Sequence, residues 1–412
     1  MPWKETRVMD SRVEFVMRAL QEGVPFNELC QEFGISRKTG YKWKERFLQS
    51  GLSGLEDCSR RPGHSPQGIV EDVLCELVRI KKDHLGWGAR KILEVYARKH
   101  PHAQPPSEST VKRILEKAGL VAKRRRRNHE ASGRIENRVI PGQPNELWTV
   151  DFKGWWYTGA RERCEPLTVR DAFSRFVLCA NPLKDAKGVT VRQEFERLFE
   201  RYGLPLIIRS DNGSPFACRH SPLGLTKLSA WWIANGISLD RIAPARPDQN
   251  GGHERMHRDI ALEVERHPKT DLQHQRAELE TWRHTFNFER PHEAIGMKVP
   301  ADLYQKSERR WTPQTDELDY SASYMKRKVI ECGTICVEGV KIGLSTALAG
   351  WHVGLKPCPD QQYLVWFGAL CIGTIDMRTE TFKAVREAGS QTQPLGGFAP
   401  KPPGFNALSQ AE

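Results

Sequence analysis

No apolar run in this sequence is long enough to cross a bilayer. The longest, YLVWFGALCIGTI at 363–375, falls short of the ~20 residues a spanning helix needs and reads instead as paired strands. The opening MPWKETRVMDSRVEF contains no apolar segment of the kind that makes a signal peptide. Cysteine is sparse, with 10 scattered through 412 residues and no CxxC pair; Cys332 and Cys336 are the closest, and no histidines are arranged around them. A zinc site is therefore not expected, and reduced cytosolic thiols are the default. Acidic residues are outnumbered, 51 against 63 Lys and Arg, which leaves a formal charge of +12. That excess fits a polyanionic partner, because cations that neutralise phosphates release condensed counterions. Nucleic acid suits it better than a membrane, given the missing apolar run. At this length roughly two to four domains are expected.

What is present begins with helices. Residues 1–55 read as three: SRVEFVMRALQEG, PFNELCQEFG and SRKTGYKWKERFLQSG. Gly34 suits a tight turn between the second and third, and Ser36 is a natural N-cap for the third. This is a helix-turn-helix layout, in which the last helix enters the DNA major groove. Its exposed side carries Arg37, Lys38, Lys42 and Lys44 as expected DNA contacts, with Arg46 beside them. A protein-interaction module with a solvated basic face fits the same residues. Gly40 inside this helix is expected to cost about 1 kcal/mol. After a Pro- and Gly-broken linker, residues 66–122 repeat the pattern as a second helical DNA-binding domain. Ser107 or Ser109 caps its last helix, and Lys112 and Arg113 are its expected DNA contacts. A basic linker over 123–140 follows, in which Arg124, Arg125 and Arg126 either are simply solvated or track a phosphate backbone.

From 141 to 307 the periodicity changes to strands alternating with helices, which predicts a mixed α/β layer fold. Short strands over 321–386 predict a small β-barrel. The tail, 387–412, is rich in Gly, Pro, Gln and Ser and reads as disordered. Three carboxylates occupy comparable settings in the α/β region. Asp151 interrupts an aromatic-flanked strand, LWTVDFKGWW; Asp211 ends the strand LPLIIRS; Glu254 lies in the first turns of a helix opened by Asn250-Gly251-Gly252. Taken alone, Asp211-Asn212-Gly213 is a tight turn. Three carboxylates together would also serve phosphoryl transfer, which uses two divalent cations held by hard oxygen ligands.

These motifs carry a resemblance. WTVDFKG at 148–154, DAFSRF at 171–176, SDNGSPF at 210–216, PARPDQNGGHER at 244–255 and FNFERPHEAIG at 286–296, followed by VPADLY, resemble in content and order the DDE transposases of bacterial insertion sequences. That family has a catalytic core like that of retroviral integrases, with a ribonuclease-H-like fold. The resemblance implies a multidomain protein: N-terminal all-α helix-turn-helix modules, a central α/β ribonuclease-H-like integrase core and a C-terminal β-barrel. It makes Asp151, Asp211 and Glu254 the catalytic and metal-binding triad, with two Mg²⁺ or Mn²⁺ ions per site. It also implies double-stranded DNA as partner, a homo-oligomer assembled on DNA, and a bacterial cytoplasmic, nucleoid-associated location. Asn250, Arg255 and Arg258 are expected to touch DNA, although Arg258 could equally pair with Glu254 four residues before it. Asp171 could approach the metals but is expected to have a structural role. Asp259, five positions after Glu254, is expected on another helix face. Two rival readings stay open: a nuclease of the same fold, and a non-enzymatic DNA-binding regulator derived from such an element.

Overall fold

The computed structural model describes residues 8–21, 23–57, 69–121, 139–242, 250–313 and 318–385. The chain divides into two compact units between Ile69 and Val70. The first contains α1 (Val8–Ala19), α2 (Phe26–Glu32) and α3 (Arg37–Ser50) around Phe15, Val16, Leu29, Cys30, Trp43 and Leu55. Gly34, at φ +62°, makes the turn into α3 in a conformation that other residues resist. Ser36 Oγ then accepts the Thr39 amide at 3.2 Å, capping the helix as its sequence predicts. Gly40 is demanded by packing: a Cβ there would sit 2.7 Å from Cys30 Sγ and 2.9 Å from the Phe15 ring. Its propensity cost is what allows α3 to lie against α1 and α2.

The second unit begins with α4 (Glu71–Asp83), α5 (Ala89–Lys99) and α6 (Glu108–Lys117), whose core includes Leu77, Ile80, Trp87, Ile92, Val111 and Leu115. Of the two candidate caps for α6, Ser107 serves, accepting the Thr110 amide at 3.3 Å. These helices are tied to the following domain through Arg98, which donates to the Met297 carbonyl at 3.2 Å and stands 3.4 Å from Asp302.

The central sheet is mixed. Its strands are β1 (Leu147–Phe152), β4 (Pro166–Asp171), β5 (Val177–Pro182), β6 (Ile207–Ser210) and β7 (Ser238–Arg241), with a small ladder of β2 (Trp156–Tyr157) and β3 (Arg163–Cys164) beside them. The order is β5-β4-β1-β6-β7; β1 and β4 run antiparallel, as do β4 and β5, while β1, β6 and β7 run parallel. Trp148 and Val150 point to one face, where they pack with α7 (Gly188–Tyr202) and α8 (Lys227–Ala234) through Phe195, Phe199, Trp231 and Trp232. The other face is covered by α9 (Gly251–Ile260) and α10 (Leu272–Phe288) through Met256, Ile260, Leu279, Trp282 and Phe286. Strand alternation therefore sends Asp151 to the α9 side.

The expected C-terminal barrel is corrected by the structure. Strands β8 (Met325–Lys328), β11 (His352–Cys358), β12 (Gln362–Phe367), β13 (Leu370–Asp376) and β14 (Thr381–Ala384) form one antiparallel sheet in the order β14-β13-β12-β11-β8. Strands β9 (Thr334–Val337) and β10 (Val340–Gly343) pair only with each other. They lie against the two edges without joining them, so no closed barrel forms among the described residues. The edge strands are only four residues long, and β8 presents Lys326 and Lys328 to solvent, which discourages further strand pairing. The apolar layer under this sheet is continuous with that under α7 and α8. Among the described residues no helix is long and apolar enough to cross a membrane.

Candidate active site

Register brings the two aspartates together. Thr149 of β1 is level with Arg209 of the parallel β6, and Asp151 and Asp211 each follow two residues later. Both carboxylates thus emerge at the carboxyl ends of adjacent parallel strands, where open α/β sheets present their functional groups. Asp211 is exposed and Asp151 half-buried. Burial, then the charge of Asp211, push the Asp151 carboxyl up to about 7; Glu254 adds a smaller push, while the Phe152 amide and Asn250 oppose it. The Asn212-Gly213 turn is real as well. Gly213 N donates to Asp211 Oδ1 at 3.2 Å, and Asn212 Nδ2 donates to the Ile242 carbonyl at 2.7 Å, joining the turn to the end of β7.

Glu254 is exposed in the first turn of α9, close enough to raise the Asp151 carboxyl but not gathered with the pair. Among the described residues no three His, Cys, Asp or Glu are grouped so as to hold a metal ion. What is assembled is an aspartate pair whose oxygen donors and unbalanced charge suit a hard divalent cation, with a third carboxylate standing nearby.

Several contacts position α9 against this pair. Thr168 of β4 donates from Oγ1 to the Asp151 carbonyl at 2.8 Å and meets His257 Nε2 at 2.8 Å. Lys153 pairs with Glu265 at 2.8 Å. Arg170 donates to the Gly252 carbonyl at 2.6 Å, and a Cβ on Gly252 would stand 2.8 Å from its guanidinium, which would have to shift to admit it. Asn250 Nδ2 donates to Asp151 Oδ2 at 2.9 Å. Its side chain is thus tied to the carboxylate site.

The remaining expected residues fall into distinct settings. Arg37, Lys38 and Lys42 are exposed on α3. Lys44, half-buried, donates to the Ala19 carbonyl at 3.0 Å and lies over the Phe26 ring, fastening α3 to α1. Lys112 and Arg113 are exposed on α6; Lys112 is 3.9 Å from Glu116, and Arg113 donates to Thr110. Arg124, Arg125 and Arg126 lie outside the described residues. Arg255 and Arg258 are exposed on α9, and Arg258 forms no ion pair with Glu254. Asp259 is buried and pairs with Arg290 at 2.8 Å, and Arg290 also lies 3.5 Å from Glu263. Asp171 is fully buried and accepts from Asn145 N, Ser174 N and Ser174 Oγ, joining the entry to β1 to the turn after β4 at one end of the strand pair. Sequence reasoning assigned no role to Lys91, Arg170 or Arg175, which line a cavity with Glu254 from α5 and from the β4–β5 hairpin. Arg175 lies within the DAFSRF motif, whereas nothing in the local sequence marks Lys91 or Arg170.

Several segments of the chain are similar to known proteins. Residues 141–247 and 235–300 match models of an integrase core domain. Residues 11–63 match a helix-turn-helix domain and 39–115 a homeodomain-like domain. The chain is 29% identical over 257 residues to an uncharacterized 31.7 kDa protein of insertion element IS407 from Burkholderia multivorans, covering 62% of this chain and 88% of that protein. It is 26% identical over 253 residues to an uncharacterized 39.2 kDa protein of insertion element IS476 from Xanthomonas euvesicatoria, covering 61% and 70% respectively. The HTLV-2 integrase catalytic core domain, solved in complex with magnesium, aligns with 40% of this chain and 100% of its own at 17% identity and a TM-score of 0.31.

Proposed function

We propose that this chain, which belongs with the bacterial insertion-sequence transposases that carry an integrase core, cuts the ends of its element and joins them to target DNA. Water would attack the phosphodiester at the element end; the bond to the 3′-oxygen breaks, and that oxygen takes up a proton as a free 3′-hydroxyl. The hydroxyl would then attack a target phosphodiester, displacing a second 3′-oxygen. The observation that carries this reading is the β1–β6 register, which sets Asp151 beside Asp211 at the strand ends.

Asp151, Asp211 and Glu254 would hold two Mg²⁺ or Mn²⁺ ions, which when bound supply charge neutralisation at the attacked phosphorus and activation of the attacking oxygen. The chain's own groups do the rest. Asn250 fixes one oxygen of Asp151. The Gly213 amide orients Asp211. Thr168 and His257 hold α9, and with it Glu254, at a set distance from β1. DNA recognition would fall to Arg37, Lys38 and Lys42 of the first module and Lys112 and Arg113 of the second, with a multimer bringing two element ends together in the bacterial cytoplasm.

The test is Mg²⁺-dependent joining of labelled ends of the encoding element to a target plasmid. Asp211→Asn is expected to lower joining by at least about 100-fold, the scale of losing one electrostatic contributor, while DNA affinity stays within about twofold. Joining by Asp211→Asn at the wild-type rate would sink the assignment. End cleavage without any joining by the wild type would instead support a nuclease.

A further inference from the structure

A cavity of about 490 Å³ lies between α5 and the central domain, on the α9 side of the sheet, with Glu254 in its wall. Its charge is unusual. Lys91, Arg170, Arg175, Arg255, Arg258 and Arg290 border it against only three carboxylates, Glu254, Asp259 and Glu293. Asp259 is already committed to Arg290. Lys91, Arg175, Arg255 and Arg258 make no hydrogen bond or ion pair among the described residues, and the buried Nε of Arg290 has no hydrogen-bond partner.

Cations that outnumber the carboxylates of one cavity repel one another. Burial and Arg290 push the Lys91 ammonium down to about 8, and burial and Arg255 lower the Arg175 guanidinium. Arg175 also holds a left-handed backbone, φ +68°, in the turn between β4 and β5. Such a conformation in a non-glycine residue costs on the order of 1 kcal/mol and concentrates at ligand clamps. The N-terminal turn of α9, Gly251-Gly252, adds its outward amides and bare backbone to the same wall.

We propose that this cavity holds a backbone phosphate of the DNA strand being processed, gripped by Lys91 of the second helical module together with Arg175 and Arg255 of the core. The proposal rests on the reading of the chain as a transposase and adds a subsite to it. A strand is favoured over a free anion because the volume exceeds that of one phosphate, and because Glu254, near enough to Asp151 to raise its carboxyl, lines the same wall. The second module then does more than recognise an element end: through Lys91 it helps set the depth at which the strand enters the site.

The test is equilibrium binding of the full-length protein to a fluorescent element-end duplex without divalent metal, at salt concentrations from 50 to 200 mM. Lacking metal, it is independent of the carboxylate assignments. If Asp211→Asn joins normally while the present expectation holds, only the catalytic assignment fails. The double variant Lys91→Ala/Arg175→Ala is expected to bind about tenfold more weakly, and its log-affinity against log-salt slope to fall by about 1, the signature of one lost phosphate contact. Lys91→Arg, which keeps the charge, is expected to bind within about threefold of wild type with an unchanged slope. Unchanged affinity and slope in the double variant would overturn the proposal. So would stabilisation of the wild type by inorganic phosphate at matched ionic strength with no effect of the double variant on DNA, which would make the cavity a free-anion site. A merely structural role for Lys91 would lower affinity without changing the slope, and that also overturns it.

Discussion

In α3 the Ser36 hydroxyl accepts the Thr39 amide, and in α6 the Ser107 hydroxyl accepts the Thr110 amide, so the last helix of each module starts by the same device. Four residues after each cap the two diverge. Position 40 is glycine and admits Cys30 and Phe15 to van der Waals distance, whereas position 111 is a valine that fills the core of its module itself. Their surfaces diverge further. Arg37 and Lys38 project from α3 with no polar partner among the described residues, while Lys112 and Arg113 of α6 lean on Glu116 and Thr110. The first module forms a compact unit of its own; the second shares a unit with the core and lends Lys91 to a cavity lined by Glu254. Two copies of one local pattern have therefore been put to different uses: one keeps its cations free for an outside partner, and the other is built into the wall of the candidate site.

Acid should separate the two units by the largest margin. Residues 8–57 contain no histidine, whereas the second unit buries His257 and His292 in neutral form, with their imidazoles pushed down to about 3 and about 2, chiefly by burial. For a base with a depressed folded pKa, the unfolded chain takes the proton first. The stability is thus intact above the ordinary histidine value near 6.5 and drains away as pH falls below it. At pH 5 each histidine should cost about 2 kcal/mol, while the Asp151 carboxyl, raised to about 7, offsets roughly 2 kcal/mol by taking its proton in the folded state, so a net loss of about 2 kcal/mol falls on the second unit alone. Urea titrations at pH 7 and pH 5, read by peptide-resolved hydrogen exchange, should show α6 and α9 losing protection together while α3 holds. Equal losses in α3 and α6 would dissolve the distinction.

The next test exchanges the residues at the equivalent positions. Gly40→Val puts a Cβ and two methyls where even the Cβ is already 2.7 Å from Cys30 Sγ. Overpacking of that kind costs typically about 1–3 kcal/mol, more than the roughly 0.5 kcal/mol regained in helix propensity. The first unit should unfold at lower urea and the second should not change. A neutral outcome would mean that α3 can shift outward without loss, and that its close approach is incidental.

Much of this was legible in the sequence, and the limits have physical causes. Helix caps and strand alternation are local, so Ser36, the partition of Trp148 and Val150 from Asp151, and the placing of Asp211 at a strand end could all be read from spacing. The five-residue separation of Asp259 from Glu254 likewise predicted a different helix face, and Asp259 is buried against Arg290. Gly40 appeared as a cost because propensity is local and the contact that requires it is not. The partners of Lys44 and Asn250, the Ala19 carbonyl and Asp151, could not be read from spacing because they lie far away in the sequence. Barrel closure depends on hydrogen bonding between edge strands far apart in sequence, and here the edges stay unpaired with each other.

The smallest expected effect falls on the link that distinguishes the second module from the first. Arg98 is part-exposed; its contact with Asp302 is 3.4 Å and that with Glu94 also 3.4 Å, geometries in which an exposed ion pair contributes about 0–1 kcal/mol. Arg98→Ala should therefore leave the urea midpoint of the second unit nearly unchanged. Its effect should appear in the coupling between module and core, because the Met297 carbonyl loses its donor and α5 loses a tether close to Lys91. Hydrogen exchange in α5 should accelerate several-fold while that in α4 and α6 stays the same, and DNA joining should fall by a smaller factor than with Lys91→Ala. If α4, α5 and α6 all accelerate together, Arg98 supports the module's own fold rather than its attachment, and the contrast between the two modules would have to rest on the cavity alone.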